Sequence, residues 1–176
     1  MNKGIFFIPV NDQTVQNDII FDQVISETTF ADKNGFTEAF FGEHITDLHE
    51  KISSSLMMVS ALSKLTNKIK LGTLTTNLNF HKPATISAMI SQVDHLSKGR
   101  LMLGIGCGAN RSDVESIEML DHDNHKIMLE IYDIINEIFK GKSPVRISTE
   151  NFNVSTEKNF NPELGLGFFN GLFKNR

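Results

Sequence analysis

The stretch LGTLTTNLNFHKPATISAMISQVDHLSKGRLMLGIGCG, residues 71–108, contains two strand signals with a helix signal between them. The first strand is predicted over Ile69–Thr76, which is rich in β-branched and aliphatic residues. Pro83 suits the first turn of the helix, where its missing N–H has no partner to lose, and Gly99 suits its left-handed end. The second strand, Leu101–Ile105, is apolar throughout, which is typical of a parallel strand buried on both faces. The stretch therefore predicts a right-handed βαβ unit.

The same pattern recurs along the chain, with strand signals that begin near residues 4, 36, 69 and 101, one βα unit apart. Residues 1–141 are therefore predicted to form four βα units of an α/β fold. Residues 142–176 are predicted to form a short hairpin and an irregular tail that precedes a missing fifth strand. A closed (β/α)8 barrel needs roughly 250 residues, so half a barrel suits this chain of 176 residues. A small doubly wound, flavodoxin-like sheet suits it equally on periodicity alone.

The apolar pattern also predicts which helix faces are buried. The first helix is predicted over Asp18–Lys33, residues 107–120 are predicted to be a polar loop, and Asp121 or Asp123 is expected to cap the fourth helix. The expected core-facing residues are Ile19, Phe21, Val24, Ile25 and Phe30 in the first helix, Leu56, Met57, Ala61, Leu62 and Leu65 in the second, and Ile127, Met128, Ile131, Ile134, Ile135 and Ile138 in the fourth.

Composition narrows the class of protein. The formal net charge is −4 and there is no basic cluster beyond Lys98–Arg100, which argues against a nucleic-acid surface. The single cysteine, Cys107, excludes an internal disulfide framework and suits a reducing cytosol, so we expect a cytoplasmic protein. A strand signal begins at Gly4 with no cleavage-site pattern before it, and no long apolar run follows. We therefore expect neither a signal peptide nor a membrane span.

Five short motifs follow one another in the order found in a known family. They are Phe41–Thr46 (FGEHIT), Gly72–Thr73, His81–Pro83 (HKP), Asp94–Arg100 (DHLSKGR) and Leu103–Gly108 (LGIGCG). Together they resemble the bacterial luciferase-like flavin monooxygenases, and in particular their limonene-monooxygenase-type members. The DHLSKGR motif, followed by an apolar strand and G-x-G, is the most specific part. Residues 161–167 (NPELGLG) resemble the segment just before strand five, so the chain resembles the N-terminal half of a longer enzyme.

This resemblance implies a (β/α)8 barrel and so favours the half barrel over the doubly wound sheet. It implies that reduced FMN binds at the carboxyl ends of the strands, with the deazaflavin F420 as the second choice. It further implies that O2, activated by the reduced flavin, oxidises a small apolar or aldehyde-like substrate. A separate flavin reductase is the implied partner, and a homo-oligomer formed through the second and third helices is the implied assembly.

His44 follows the second strand, at the edge where barrel enzymes hold their active sites. Its imidazole is suited to moving protons near neutral pH. The resemblance gives His44 the role of an active-site base beside the flavin, whereas the simpler interpretation is a loop histidine bonded to a backbone carbonyl. Glu43 either orients this ring within the cofactor site or caps the next turn.

Leu74, Thr75 and Thr76 end the third strand. The resemblance implies that this strand end runs under the flavin ring, in some members through a non-prolyl cis peptide. Strand propensity alone also explains two threonines at this place. They are therefore candidate cofactor-binding residues, with an ordinary strand end as the alternative.

Gly106 and Cys107 end the fourth strand. The G-x-G-x-x-G spacing of a dinucleotide-binding loop is not met here, and no helix signal follows at once. Small residues at this point are expected to let a flavin approach the backbone. Luciferase itself has an arginine for the flavin phosphate where this chain has Cys107, and Arg111 is the nearby cation that would replace it.

Residues 121–125 (DHDNH) combine acidic residues and histidines, but no second ligand cluster accompanies them. Acidic residues at a helix start interact favourably with the helix dipole, so we expect no metal site there.

Two hypotheses follow from the resemblance. The first is a flavin-dependent monooxygenase, or the half of one. The second is a catalytically silent remnant that binds flavin or dimerises without turnover. For the chain alone we expect no catalytic competence, because half of the cofactor site is expected to be absent.

Overall fold

Strands and helices alternate through the computed structural model, which describes residues 3–141, 144–157 and the two-residue strand at 167–168. The strands are β1 (Gly4–Phe7), β2 (Glu38–Phe41), β3 (Lys70–Asn77), β4 (Leu101–Gly106), β5 (Val145–Ser148), β6 (Asn153–Thr156) and β7 (Gly167–Phe168). The helices are α1 (Asn17–Lys33), α2 (Ser55–Ser63), α3 (Pro83–Ser97), α4 (Arg111–Ser116) and α5 (Asn124–Phe139). A 3-10 turn, Leu78–Phe80, connects β3 to α3.

The central sheet has the strand order β1-β2-β3-β4-β7, and its neighbouring strands are parallel. Consecutive strands of the chain are therefore neighbours in the sheet, which excludes the 2-1-3-4 order of a flavodoxin-like fold. Parallel strands in chain order bring their carboxyl ends to one edge. The residues that follow β2, β3 and β4 lie at that edge.

The predicted irregular tail contains β7, a fifth strand of the central sheet that was expected to be missing. Gly167 and Phe168 pair in parallel with Met102 and Leu103 of β4. The strand was missed because two glycines around Leu166 weaken the β-propensity signal. The rest of the expected irregular tail, residues 158–166 and 169–176, lies outside the described residues. The predicted hairpin is confirmed, since β5 pairs antiparallel with β6.

The helix faces follow the predicted pattern where the apolar residues have a clear period. All six predicted residues of the α5 face are buried. In α1, however, Ile20, Val24, Thr28 and Ala31 are buried, whereas Ile19 and Phe30 are 57% and 65% exposed. The run Ile19-Ile20-Phe21 is apolar at three consecutive positions, so it does not define which side of the helix packs on the sheet.

Helix α2 also differs from the prediction. Met58 and Val59 are buried, whereas Met57 is 73% and Leu65 is 51% exposed. A groove of about 410 Å³ lies between α1 and α2, lined by Phe21, Ile25, Ile52, Ser53, Ser54, Met57, Met58 and Ala61. Apolar residues therefore occur on both the exposed side and the buried side of α2.

The predicted polar loop at 107–120 contains helix α4, which has six residues. A helix this short has too few residues to show a 3.6-residue period. Its N-cap is Asn110, whose side chain accepts a hydrogen bond from the Ser112 N–H. Asp123 caps α5 by accepting from the Lys126 N–H, so one of the two predicted caps is confirmed.

The Phe40 ring of β2 occupies the space where a side chain at Gly72 of β3 would lie. Phe40 and Gly72 are direct partners across β2 and β3. A Cβ atom added to Gly72 would lie 2.4 Å from two carbon atoms of the Phe40 ring. Phe40 can lie across the neighbouring strand because glycine is there.

Two partly buried charges hold the start of β3 in place. The Arg100 guanidinium donates to the Ile69 carbonyl at 2.9 Å and the Ser63 carbonyl at 2.7 Å. The Asp32 carboxylate accepts three N–H bonds, from residues 67, 68 and 69, at 2.7–2.9 Å. Burial alone would raise the pKa of Asp32, but these backbone hydrogen bonds outweigh it and lower the pKa below its ordinary value.

We expect Asp32→Asn to lower the free energy of unfolding at pH 7 by about 1–3 kcal/mol, because three backbone N–H groups lose a charged acceptor. Since the folded pKa of Asp32 is lowered, its contribution is present above the unfolded value of 3.8 and is lost as pH falls through the folded value. The difference between wild type and variant should therefore shrink as pH falls below the unfolded value and through the lower folded value. Urea unfolding at pH 7 and pH 3 measures both values.

Asp22→Asn is the matched control, since Asp22 is an exposed residue of the same helix. A loss of stability of equal size at both pH values would contradict the electrostatic explanation.

Candidate active site

The ring of His44 lies between two carboxylates at the carboxyl edge of the sheet. Its Nδ1 atom is 2.8 Å from Oδ2 of Asp113, and its Nε2 atom is 3.5 Å from Oε2 of Glu50. The His44 N–H donates to the Ile52 carbonyl at 2.9 Å, which fixes the backbone just after β2. The ring itself is bonded to the Asp113 side chain, and not to a backbone carbonyl as in the simpler interpretation.

Asp113 is almost fully buried and makes a specific set of hydrogen bonds. It accepts from the Thr46 N–H at 2.8 Å and the Thr46 hydroxyl at 2.6 Å, in addition to its bond with His44. Burial alone would raise the pKa of Asp113, but the bonds from Thr46 and His44 outweigh it and lower the pKa below its ordinary value. Asp113 therefore stays ionised and accepts the proton of Nδ1.

Sequence reasoning did not find Asp113, because it lies in the segment predicted to be a polar loop. A usable signal was present. Asn110 is followed three residues later by Asp113, the spacing of a helix N-cap and its third helical residue. In place of bonding back to its own helix start, the Asp113 carboxylate reaches His44, which is 69 residues away in sequence.

Glu43 joins three elements beneath the site. It is buried, and its carboxylate accepts from the Ser55 N–H at 2.9 Å, the Ser55 hydroxyl at 2.7 Å and the Asn77 N–H at 2.7 Å. These bonds connect the end of β2, the first turn of α2 and the end of β3. Of the two roles expected for Glu43, this geometry supports the capping role, since Asp113 and Glu50 are the carboxylates that face the His44 ring.

The end of β3 has three different side-chain environments. The peptide bond between Leu74 and Thr75 is cis, the form that the resemblance implied for this strand end. Leu74 is 41% exposed and Thr75 is half-buried, whereas Thr76 is buried with its hydroxyl 3.1 Å from that of Ser55. Of the three predicted residues, Leu74 presents the most surface to a ligand.

The open space expected at Gly106 is filled by two polar side chains. A Cβ atom added there would lie 2.3 Å from Oγ1 of Thr75 and 2.9 Å from Oδ1 of Asn77. The glycine therefore permits close contact between β3 and β4. Cys107 is half-buried, and its carbonyl accepts a hydrogen bond from the Asn79 side chain at 3.1 Å. Arg111 is exposed at the first position of α4.

An exposed apolar patch lies beside His44. It consists of Phe6, Ile8 and Leu74, which are 41–46% exposed, around the buried Gly42. A Cβ atom added at Gly42 would be 3.3 Å from Ile8 and 3.8 Å from both the Phe6 ring and the Leu74 carbonyl. The four residues therefore surround one point at the ends of the first three strands. We refer to them as the Gly42 patch.

Within residues 3–141 and 144–157, no group of three or more histidine, cysteine, aspartate or glutamate side chains is arranged to hold a metal ion. Over the same part of the chain, no helix combines the length and the apolar character that a membrane span requires.

Comparison with known proteins identifies the family. A family model described as luciferase-like monooxygenase matches residues 1–163. The chain belongs to the luciferase-like monooxygenase family. This confirms the resemblance drawn from the five motifs.

Two relatives in this family have curated names. The chain is 31% identical over 121 residues to 4-hydroxyprotoasukamycin monooxygenase of Streptomyces nodosus subsp. asukaensis, an alignment that covers 69% of this chain and 33% of the relative. It is 28% identical over 140 residues to limonene 1,2-monooxygenase of Rhodococcus erythropolis, which covers 80% of this chain and 36% of the relative. The chain spans about a third of the length of these two relatives.

Solved structures establish the fold as part of a luciferase-like (β/α)8 barrel. The oxygenating constituent of 3,6-diketocamphane monooxygenase from the CAM plasmid of Pseudomonas putida, in complex with FMN, superposes with a TM-score of 0.85 at 22% identity. This superposition covers 90% of this chain and 44% of the diketocamphane monooxygenase chain. An F420-dependent secondary alcohol dehydrogenase superposes with a TM-score of 0.74 at 16% identity and covers 96% of this chain and 52% of that one.

We expect Glu43→Gln to lower the free energy of unfolding by about 1.5–3 kcal/mol, because a buried charged acceptor is lost and the new amide N–H₂ faces N–H and O–H donors. Urea unfolding at pH 7 measures this change. Glu118→Gln, at an exposed position, is the matched control and should have little effect. Equal stability of the Glu43 and Glu118 variants would show that the three bonds do not hold these elements together.

Proposed function

We propose that this chain carries the His44 side of a flavin-dependent monooxygenase site that uses reduced FMN and O2 on a small apolar or aldehyde-like substrate. The observation that carries the proposal is the 2.8 Å contact between His44 and the buried, ionised Asp113 at the carboxyl edge of a barrel-type sheet. Family membership supports the reaction class. His44 is the proposed catalytic residue.

The Gly42 patch supports the choice of a flavin. Three exposed apolar side chains at the ends of the first three strands offer a surface on which a flat aromatic ring can pack. Leu74 and Thr75 would contact the ring from β3, and Cys107 would border it just after β4. Arg111, exposed on α4, is the cation proposed for the phosphate. F420 remains the second choice of cofactor.

Reduced flavin, when bound, supplies the electrons that activate O2 for the oxidation of the substrate. The chain's own residues would hold and move the accompanying protons. Asp113 accepts the Nδ1–H of His44, which leaves Nε2 as the ring nitrogen at which a proton can move. The Asp113 bonds from Thr46 keep this acceptor in one position, so the ring does not have to reorient when a proton moves at Nε2.

A catalytically silent form that binds flavin or dimerises is the second candidate. It is favoured by the observation that the chain spans about a third of its curated relatives, so groups that complete the cofactor site in a full barrel lie outside the aligned part. A flavin reductase is the proposed partner of the first candidate, and is not required by the second.

Titration of the chain with reduced FMN, followed by addition of O2 and a medium-chain aldehyde, tests the proposed function. The first candidate predicts saturable binding and formation of the carboxylic acid. Binding without oxidation would support the silent form, and absence of binding by a folded chain would contradict the first candidate and leave only a remnant that dimerises.

We expect His44→Gln to lower the oxidation rate by about 10²–10⁴-fold, the usual contribution of a general acid or base. The affinity for reduced FMN should change little, because Gln retains the size and polarity of the ring. His125→Gln, at an exposed position at the start of α5, is the matched control. An unchanged rate in the His44 variant would remove it from the mechanism.

We further propose that the chain forms a homo-oligomer through α2 and α3. Met57 is 73% exposed and lines both the groove between α1 and α2 and a second groove of about 310 Å³. The second groove is lined by Ser54, Leu56, Met57, Ser60, His81, Met89, Gln92 and Val93. Apolar surface of this kind is typical of a protein interface.

We expect Met57→Lys to convert the oligomer to a monomer, because a charge would be buried in an apolar interface. Size-exclusion chromatography with light scattering measures the mass. Leu120→Lys changes an exposed apolar residue outside these helices and should leave the mass unchanged. A Met57 variant with wild-type mass would exclude this interface.

A further inference from the structure

The second nitrogen of the His44 ring faces a carboxylate that the proposed function does not use. Nε2 of His44 lies 3.5 Å from Oε2 of Glu50, and the two side chains are 31% and 23% exposed. In the proposed function, on which this inference rests, Nε2 is the nitrogen that meets the reacting groups. The group opposite Nε2 therefore influences what His44 does.

The backbone of Glu50 is held in place by hydrogen bonds on both sides of the turn. Its N–H donates to the Asp47 carboxylate at 3.1 Å, as does the N–H of His49 at 2.7 Å. Glu50 also forms an antiparallel bridge with Val10. Beside it, the Asn11 N–H donates to the His49 carbonyl at 3.1 Å, and the His49 ring nitrogen contacts the Asn11 carbonyl at 3.0 Å. The turn that carries Glu50 is thus tied to the segment that follows β1.

The charged groups around the His44 ring are carboxylates. Asp113 approaches from α4, and Glu50 and Asp47 approach from the segment between β2 and α2. Backbone hydrogen bonds from His49 and Glu50 are the main cause that lowers the pKa of Asp47, and His44 contributes a smaller part. The Asn110 amide is 3.4 Å from Nδ1. A ring with negative charge facing both nitrogens is stabilised when each nitrogen has a proton.

We propose that Glu50 is a positioning residue for His44, whose carboxylate favours a proton on Nε2 and so makes His44 a proton donor in the proposed reaction. In the donation step the Nε2–H bond breaks and an O–H bond forms on the accepting oxygen. The bonding electron pair stays on Nε2, and the proton is regained from water. Asp113 fixes the orientation of the ring through Nδ1, and Glu50 favours the protonated form of Nε2.

The alternative is a passive ion pair at the edge of the site. Such pairs at partly exposed positions contribute about 0–1 kcal/mol to stability and do not determine a functional state. A stability measurement therefore does not separate the two possibilities, whereas the titration of the ring does.

The test is a pH titration of the His44 ring signals by NMR in the flavin-free chain with isotope-labelled histidine, assigned with His44→Gln. We expect Glu50→Gln to move the titration midpoint down by at least about half a pH unit, because a carboxylate near Nε2 is lost. Glu50→Asp keeps the charge on a shorter side chain and should give a midpoint between those of wild type and Glu50→Gln. Glu115→Gln, at an exposed position on α4, should match wild type.

A Glu50→Gln midpoint that equals the wild-type value, in a variant with an unchanged circular dichroism spectrum, would overturn the proposal. An equal shift in the Glu115 variant would also overturn it, because the effect would then be one of net charge. Since the titration needs no flavin, a failure to bind FMN would contradict the proposed function and leave this result unaffected.

Discussion

One buried carboxylate determines how the first half of the site is assembled. Glu43 accepts hydrogen bonds from the first residue of α2 and from the last residue of β3, while it follows β2 directly. A charged acceptor inside the protein requires such donors, because an ionised group without them is costly to bury. The three elements are therefore held together by the same requirement. The positions of His44 on one side and of the Leu74–Thr75 peptide on the other depend on it.

The neighbouring residues Glu43 and His44 have different roles at the end of β2. Side chains that follow one another along an extended segment point to opposite sides. Glu43 points into the interior and bonds to backbone groups, whereas His44 points to the edge of the sheet and meets Asp113 and Glu50. The interior carboxylate fixes the backbone, and the outer carboxylates fix the ring. His44 is thus constrained by its neighbour Glu43, by Glu50 in the same loop and by Asp113, which is 69 residues away in sequence.

Sequence reasoning reached the fold because the fold depends on local signals. Apolar strands repeated at the length of a βα unit predicted the sheet, and the strict apolar face of α5 predicted its buried residues. His44 was chosen as a candidate from its motif and its place after β2, and its role stays a prediction. Asp113 was missed because its role comes from a contact across 69 residues, which no local pattern contains. The faces of α1 and α2 were partly misjudged because apolar residues occur on several sides of both helices, so packing decides which side is buried.

The contact between Phe40 and Gly72 has a consequence for how sequences of this kind can diverge. The space above Gly72 is taken by an aromatic ring from the neighbouring strand, and any added side chain would overlap it. A larger residue at position 72 is therefore acceptable only if position 40 becomes smaller at the same time. The two positions should change together during evolution, so that one lineage keeps the aromatic–glycine pair and another keeps two residues of intermediate size.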